Sequence, residues 1–309
     1  MKEIKNILIC GAGMMGKNIG YVFASNPSFQ VGMYDLYPTD VEAGIRTNTR
    51  QLLDKGVITE QELSDRLSRI SFTNDIDSDL VKNADLVIEA VFEDMKIKRE
   101  TFAKLEARCR PDTIFCTNSS VMSPSEISAE LRHRERFVGT HFWNPGHLIP
   151  LVEVVKSDAS SDEVAQTVME VLRSVGKKPV LCKKDVPGFI ANRMQHALWR
   201  EAISIVERGI ADAATVDKAV RYSFGLRLPQ LGPMENADMV GTDLTYNIHD
   251  YILKDLEDSH EPSPLLTRLR DEGKLGFKTG EGFQTWTPQQ IEQSKEALND
   301  YLVDMLYGK

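Results

Sequence analysis

The feature that most constrains this chain is an apolar run that ends directly in a glycine-rich turn. Lys5-Asn-Ile-Leu-Ile-Cys10 leads into a G-x-G-x-x-G pattern, and a segment of helical character follows. In a doubly wound sheet the first glycine allows a tight bend, the second lets a pyrophosphate approach the backbone, and the third lets helix and strand pack closely. The helix N-terminus offers free N–H groups to the phosphates, whereas the alternative is a glycine turn that binds nothing. The predicted dinucleotide-binding residues are Gly11, Gly13, Met14, Met15 and Gly16.

An acidic residue stands where the ribose of a dinucleotide would need it. Gln30-Val-Gly-Met-Tyr34 has the pattern of a second strand, and Asp35 follows it directly. A carboxylate at this place accepts hydrogen bonds from both adenosine ribose hydroxyls and repels a 2′-phosphate. Because no arginine immediately follows Asp35, the sequence favours NAD over NADP as the cofactor.

Length, charge and cysteine content limit the class of protein. A chain of 309 residues is long for a single core, so we expect two domains. The net charge of -9 at pH 7 argues against nucleic acid or an anionic membrane as a partner. The four cysteines have no metal-like spacing, and we find neither a signal peptide nor an apolar run that could span a membrane. We therefore expect no bound metal and a cytoplasmic location.

The first part of the chain, residues 1–184, alternates strand-like and helix-like segments, which is typical of a largely parallel sheet. A charged stretch over 41–68, broken at Gly56, predicts a helical pair inserted beside that sheet. Further strands are predicted at Asp85–Ala90, Thr113–Thr117, Arg136–Phe142, Leu151–Val155 and Lys178–Cys182. We expect a Rossmann-type, doubly wound, mostly parallel sheet that binds NAD.

From Asp185 onward the strand signals nearly vanish. Amphipathic patterns predict helices up to about residue 208 and near 212–224, 236–255 and 263–272. We expect residues 185–309 to form an all-α domain for substrate binding and dimerisation, so that the fold class is α/β followed by all-α. A final helix is predicted over 288–306, with its apolar face packed on its own domain or, alternatively, on a second subunit.

A histidine and a glutamate occupy two neighbouring predicted strands. His141 closes one strand, and Glu153 lies in the next. Oxidation of an alcohol by NAD requires a base that takes the hydroxyl proton. A neutral imidazole with a carboxylate behind it suits this task. The alternative is a strand-end histidine that only hydrogen-bonds to backbone.

Five segments, in the same order, resemble motifs of the L-3-hydroxyacyl-CoA dehydrogenase family, and the resemblance extends from residue 5 to about 286. The segments are Thr117-Asn-Ser-Ser120, His141-Phe-Trp-Asn-Pro145, Leu151-Val-Glu-Val154, Asp185-Val-Pro-Gly-Phe-Ile-Ala-Asn-Arg193 and Gly276-Phe-Lys-Thr-Gly-Glu-Gly-Phe283. The resemblance implies an NAD-dependent oxidoreductase of fatty acid metabolism and a homodimer formed through the helical domain.

The resemblance also implies roles for individual residues. His141 would be the base, and Glu153 would orient it. Ser119 would hydrogen-bond the reacting oxygen, with Ser120 as the competing serine, and Asn192 would help to hold that oxygen. Such donors stabilise a charge that develops in the transition state.

Three further residues are considered beside this catalytic set. Glu93 and Lys98 would contact the cofactor, with Lys98 on the nicotinamide ribose; the alternative is an ordinary surface lysine. For Asn118 the simpler interpretation is that it satisfies backbone groups in a turn.

Departures from the family pattern leave the substrate open. Gly146-His147 stands where the family commonly has Val-Pro, in a loop that borders the substrate in such folds. A 3-hydroxyacyl-CoA is the first hypothesis. A free hydroxy acid such as carnitine, gulonate or an aromatic hydroxy acid is the second, and a non-catalytic, crystallin-like NAD-binding protein is the third. Five basic residues of the helical insertion either meet a CoA phosphate or form a solvated face: Arg46, Arg50, Lys55, Arg66 and Arg69.

Overall fold

The computed structural model describes residues 3–308 and contains one eight-stranded sheet with the strand order β3-β2-β1-β4-β5-β6-β7-β8. The strands are β1 (Asn6–Cys10), β2 (Gln30–Tyr34), β3 (Ile70–Thr73), β4 (Leu86–Glu89), β5 (Ile114–Thr117), β6 (Phe137–Phe142), β7 (Leu151–Lys156) and β8 (Lys178–Cys182). Strands β1 to β6 are parallel, β7 is antiparallel to β6, and β8 is parallel to β7. The predicted doubly wound, mostly parallel sheet is confirmed.

Within residues 3–308, seven α-helices accompany the sheet, and six more follow it. The first seven are α1 (Met14–Phe23), α2 (Val41–Asp54), α3 (Glu60–Leu67), α4 (Asp79–Lys82), α5 (Met95–Glu106), α6 (Pro124–Ile127) and α7 (Asp162–Ser174). The others are α8 (Ala191–Glu207), α9 (Ala213–Arg221), α10 (Pro233–Val240), α11 (Thr242–Ile252), α12 (Pro264–Asp271) and α13 (Pro288–Tyr307). The predicted helical pair is α2 and α3, and α3 begins at a capping box formed by Thr59 and Glu62. In residues 3–308 no helix is long and apolar enough to cross a membrane.

The core lies on both faces of the sheet. Ile7 and Ile9 of β1 belong to one apolar cluster, whereas Leu8 and Cys10 belong to another. Successive side chains of a strand point to opposite faces, so the two clusters are the two sides of the sheet. Both faces are covered by helices, which explains why these parallel strands are continuously apolar.

The chain divides into two compact units. One contains the chain up to Ala191 together with the residues from Leu298 onward, and the other is Asn192–Ala297. Within 192–297, all of which the structure describes, only Asn192 and Ser204 are buried. No apolar side chain of the second unit is therefore fully buried, although some, such as Ile203 and Ile205, are half-buried.

Three elements differ from the sequence-based expectation. Strand β3 was not predicted, because it is an edge strand whose residues are half-buried or exposed and have no clear apolar pattern. The helix predicted over 236–255 is two helices, α10 and α11, separated by Gly241 with φ of +102°.

The last helix is the third difference. We expected α13 to pack on the helical domain, but its second half belongs to the first unit. Val303 is buried in the apolar cluster that contains Leu52 of α2. Lys55 at the end of α2 pairs with Asp300 and Asp304.

Candidate active site

The glycine-rich turn between β1 and α1 has close backbone contacts that exclude larger residues. A Cβ at Gly11 would lie 2.6 Å from the carbonyl oxygen of Ala90, and one at Gly16 would lie 1.8 Å from that of Gly11. Both distances are far below van der Waals contact. A Cβ at Gly13 would meet nothing within 4 Å, so this glycine leaves room for a pyrophosphate against the backbone.

The start of α1 and the end of β2 complete a place for a dinucleotide. In the described chain no side chain caps α1 at Gly13, and its first N–H groups therefore stay available to a phosphate. Met14 is exposed at this helix end, and Met15 is half-buried. Asp35 follows β2, and its Oδ2 accepts a 2.7 Å hydrogen bond from the N–H of Ala12, within the turn. An open glycine backbone, an uncapped helix and a carboxylate on the ribose side fit NAD.

Lys98 of α5 is buried between two carboxylates, so the surface-lysine interpretation is wrong. Its Nζ lies 2.8 Å from Oε1 of Glu89 and 3.0 Å from Oε2 of Glu93. Burial raises the pKa of Glu89, and the Lys98 ammonium opposes that shift. A buried ion pair is tolerated only when its remaining lone pairs are satisfied. The Val91 N–H and the Thr117 hydroxyl do this for Glu89.

Ser119 follows β5 and joins the same network. Its hydroxyl donates to Oε1 of Glu93 and accepts from the N–H of Met122 at 2.9 Å. Burial works in the opposite direction, but the Ser119 hydrogen bond and then the Lys98 charge lower the pKa of Glu93. Ser119 has one hydroxyl proton, so a hydrogen bond donated to a substrate oxygen would replace the one to Glu93. Ser120, by contrast, is exposed, and its N–H donates to Glu93 at 3.1 Å.

His141 and Glu153 face each other across the antiparallel pair of β6 and β7, where they are direct register partners. The imidazole Nδ1 lies 2.8 Å from Oε2 of Glu153, and both side chains are buried. The ring is flanked by Trp143 and Phe189, with centroid distances of 5.4 Å and 5.8 Å. Nδ1 bonded to a carboxylate carries the proton, and Nε2 is then the basic nitrogen.

The turn before α8 completes the surroundings of Glu153. Phe189 has φ of +50°, and the next two N–H groups, of Ile190 and Ala191, donate to Oε1 of Glu153 at 2.9 Å and 3.0 Å. Burial alone would raise the pKa of Glu153, yet the hydrogen bonds from His141 and from the two backbone groups lower it. Glu153 is therefore an ionised carboxylate in a buried place.

The two asparagines considered in the sequence analysis, Asn118 and Asn192, lie in different units of the chain. Oδ1 of Asn118 accepts from the N–H of Phe142 at 2.9 Å, so this side chain satisfies a backbone group of β6. Asn192 is the second residue of α8, is buried and belongs to the second unit. The role of Asn192 toward the reacting oxygen stays a prediction.

The loop around His147 is held by a buried lysine. Lys177 Nζ donates to the carbonyl oxygens of Gly146 and Ile149 at 2.6 Å and 2.7 Å. Burial lowers the pKa of Lys177 to about 8. Burial, and then the Lys177 charge, lower the pKa of His147 to about 4, so this second imidazole is neutral near pH 7. A Cβ at Gly146 would lie 3.3 Å from Met15, which places this loop against the start of α1.

The basic residues of the helical insertion all have partners within the chain. Arg46 pairs with Glu42 and Glu60, and Lys55 pairs with Asp300 and Asp304. Arg50 lies 3.7 Å from Asp54.

The other two basic residues of the helical insertion, Arg66 and Arg69, contact uncharged groups. The Arg66 guanidinium lies 4.7 Å from the centroid of the Tyr21 ring. Arg69 Nε donates to the carbonyl oxygen of Ala24 at 2.9 Å. These contacts are the ones expected of a solvated helical face that satisfies its own charges.

Several site residues escaped the sequence analysis. Glu89 gave one signal, since it is a charged residue at the end of an apolar strand. Trp143 lies inside a quoted motif but was given no role, and Lys177 gave no signal because a lysine after a helix is common. Among the described residues, no group of three or more His, Cys, Asp and Glu side chains could hold a metal ion.

Two family models match the chain. Residues 6–186 match the model described as 3-hydroxyacyl-CoA dehydrogenase, NAD binding domain. Residues 188–286 match the model described as 3-hydroxyacyl-CoA dehydrogenase, C-terminal domain.

Individual proteins are similar over almost their whole length. The 5-formyl-3-hydroxy-2-methylpyridine 4-carboxylate 5-dehydrogenase of Mesorhizobium japonicum is 34% identical over 94% of this chain and 93% of its own. A probable 3-hydroxybutyryl-CoA dehydrogenase of Bacillus subtilis is 37% identical over 91% and 97%.

Solved structures separate these relatives more clearly. A crystal structure of the pyridine-carboxylate 5-dehydrogenase, described as an NAD+ dependent dismutase, has a TM-score of 0.90 at 33% identity and covers 99% of this chain and 100% of its own. The (S)-3-hydroxybutyryl-CoA dehydrogenase of Ralstonia eutropha has a TM-score of 0.76 at 28% identity over 92% and 100%.

Proposed function

The chain belongs to the 3-hydroxyacyl-CoA dehydrogenase family of NAD-dependent oxidoreductases, and on that premise we propose that its substrate is a small free acid rather than a CoA thioester. The reaction is a hydride exchange between NAD and the hydroxyl-bearing carbon of that acid. The pairing of the five basic residues of the helical insertion carries this proposal. Each of the five has a partner inside the chain, so a CoA phosphate would have to compete with that partner.

Two further observations support the free acid. The structure is more similar to an enzyme named for a pyridine carboxylate than to one named for a CoA thioester, with TM-scores of 0.90 and 0.76. The loop that departs from the family pattern places a neutral His147 beside Gly146. A neutral imidazole accepts or donates a hydrogen bond without the desolvation cost of a charge.

The catalytic roles are proposed from the pair on β6 and β7. His141 Nε2 takes the hydroxyl proton, while the ionised Glu153 holds Nδ1 and stabilises the imidazolium. Ser119 positions the reacting oxygen by turning its hydroxyl proton from Glu93 toward that oxygen. The glycine turn and Asp35 would hold NAD, which supplies the hydride acceptor when bound.

The substrate proposal is tested by NADH absorbance with two panels side by side, free aromatic or aliphatic hydroxy and keto acids and the matching CoA thioesters. We expect kcat/KM to be at least tenfold higher with a free acid. A clear preference for acetoacetyl-CoA overturns the proposal. The substrate is then a CoA thioester, the second candidate, which both family models and the Bacillus subtilis relative favour.

The mechanism is tested on the preferred substrate with His141→Asn. Loss of a general base lowers turnover by roughly 100- to 10,000-fold. Near-wild-type turnover in this variant would show that His141 is not the base.

We also propose that the chain forms a homodimer through residues 192–297. This unit leaves large apolar side chains exposed, including Tyr222, Met234 and Tyr251. Exposed apolar surface of this extent marks an interaction site. Light scattering at micromolar concentration should give twice the mass of 34.8 kDa, and a monomeric mass would refute the dimer.

A further inference from the structure

The indole of Trp143 shares an acceptor atom with His141. Nε1 of Trp143 donates to Oε2 of Glu153 at 3.3 Å, and the same oxygen lies 2.8 Å from Nδ1 of His141. A Phe at this position would keep an aromatic ring but would carry no donor. The carboxylate of Glu153 therefore has two side-chain donors, the imidazole of His141 and the indole of Trp143.

We propose that Trp143 is a positioning residue that limits how strongly Glu153 stabilises the protonated form of His141. The inference rests on the proposed function, in which His141 is the base. In this proposal the indole of Trp143 acts on His141 only through the carboxylate of Glu153.

The physical reason lies in the number of donors to Glu153. Oε1 receives the backbone N–H groups of Ile190 and Ala191, and Oε2 receives the imidazole and the indole. Donors that share one carboxylate compete for its negative charge, so each weakens the interaction of the others. The backbone donors cannot be removed by substitution of a side chain, whereas the indole donor can. Without it, Oε2 interacts with the imidazole alone, and the imidazolium is more stable.

The other titratable groups near the pair have partners of their own. Cys182 of β8 is a thiol whose pKa is raised by burial and further by the charges of Glu153 and Asp185, so it stays neutral. Asp185 accepts hydrogen bonds from the Ser123 hydroxyl and from a backbone N–H. At the end of β5, the charge of Glu93 is paired with Lys98.

The test is the pH profile of kcat/KM for alcohol oxidation in the wild type and in Trp143→Phe. Oxidation needs the unprotonated base, so activity falls on the acid side of the profile. A more stable imidazolium keeps the base protonated to higher pH, and the acid limb of W143F should move upward by about half a pH unit. A purely structural role of the indole would lower activity without moving the limb.

The matched control is Trp199→Phe, which changes a half-exposed tryptophan of the second unit that contacts His196 edge to face. Its acid limb should coincide with that of the wild type. An unmoved limb in W143F, or an equal shift in W199F, overturns the inference. An active His141→Asn variant overturns the proposed function instead, so the two failures are distinguishable.

A spectroscopic measurement keeps the inference testable even where W143F does not fold. The chain has three tryptophans, and the indole N–H signals of Trp199 and Trp286 can be assigned from their Phe variants. The remaining signal should lie downfield and should titrate over the pH range of the acid limb. A Trp143 signal that does not respond to pH in this range overturns the inference.

Discussion

The two units of the chain bury different kinds of surface. The first unit has apolar clusters on both faces of its sheet and, at the ends of its strands, buried polar and charged groups that are paired with one another. The second unit, 192–297, has only Asn192 and Ser204 buried among its described residues. A unit with its own core can hold charged side chains in fixed positions. The second unit has no fully buried apolar side chain, and for this reason we propose that a second copy of the chain covers it.

The largest expected difference between the units is in their apolar side chains. Phe102 is fully buried, with ring centroids 6.0 Å and 4.8 Å from Phe115 and Phe137. Phe102→Ala should lower the free energy of unfolding by about 3–5 kcal/mol. Phe224→Ala, at a site that is 38% exposed in the second unit, should cost about 1 kcal/mol or less. Urea unfolding followed by circular dichroism measures both, and equal losses would contradict the comparison.

The second-largest expected effect on stability concerns the buried ion pairs of the first unit. Lys98→Met leaves Glu89 buried without its ammonium and should destabilise the protein by about 3 kcal/mol. Glu89 then binds a proton more readily, so the loss should shrink as the pH is lowered. The control Lys55→Met removes only exposed pairs with Asp300 and Asp304 and should change little. Denaturation midpoints of the wild type and both variants are measured between pH 5 and 8. If the loss of stability in Lys98→Met does not depend on pH, Glu89 is not charged in that variant.

Asp85 gives a stability effect with a defined pH dependence. Its Oδ2 accepts from the N–H groups of Lys5 and Asn6 at 2.9 Å and 2.8 Å, and Arg110 pairs with it. Burial would raise the pKa of Asp85, but these donors lower it. A lowered pKa in the folded state stabilises the protein above the ordinary aspartate value of about 4, and this contribution is lost as the pH falls below it.

Asp85→Asn should therefore cost about 2 kcal/mol at pH 7, and the difference from the wild type should narrow below about pH 4. The control in the second unit is Asp212→Asn, because Asp212 is an exposed cap of α9 and Asn caps a helix equally well. Thermal unfolding at pH 7, 5 and 3 compares the three proteins. A D85N curve parallel to that of the wild type would be evidence against an ionised Asp85.

The smallest expected effect concerns protein concentration. If the second unit is covered by a second copy, each tenfold dilution should lower the free energy of unfolding by about 1.4 kcal/mol of dimer. The stability of the first unit should not depend on dilution. Tryptophan fluorescence can follow the two units separately, because Trp143 lies in the first unit and Trp199 and Trp286 lie in the second. An unfolding midpoint that does not depend on dilution would mean that the exposed apolar side chains of 192–297 are not covered by this chain.

Local patterns made the fold predictable. The glycine turn, the continuously apolar strands and the loss of strand signals after Asp185 depend on residues close in sequence. Strand β3 and the break at Gly241 were missed, since an edge strand has a weak pattern and a glycine within a helical pattern does not reveal its φ. The place of Val303 was missed because an apolar helix face does not identify its neighbour.

The candidate site was predictable where strand pairing alone brings residues together. His141 and Glu153 lie in consecutive strands, and an antiparallel register makes them neighbours. The burial of Lys98 between Glu89 and Glu93 depends on how a helix packs on two strand ends, which no local pattern encodes. The N–H groups that bind Glu153 belong to the backbone and carry no side-chain signature.

The return of α13 to the first unit has a consequence for how this protein is made. On the ribosome, residues 192–297 emerge before Leu298, so the first unit waits for them before it can receive Val303. Until then, the apolar surface around Leu52 on α2 has no cover from α13. Domains generally fold in order from the N-terminus during synthesis. Here the nascent nucleotide-binding unit completes its core only after the helical unit has been translated.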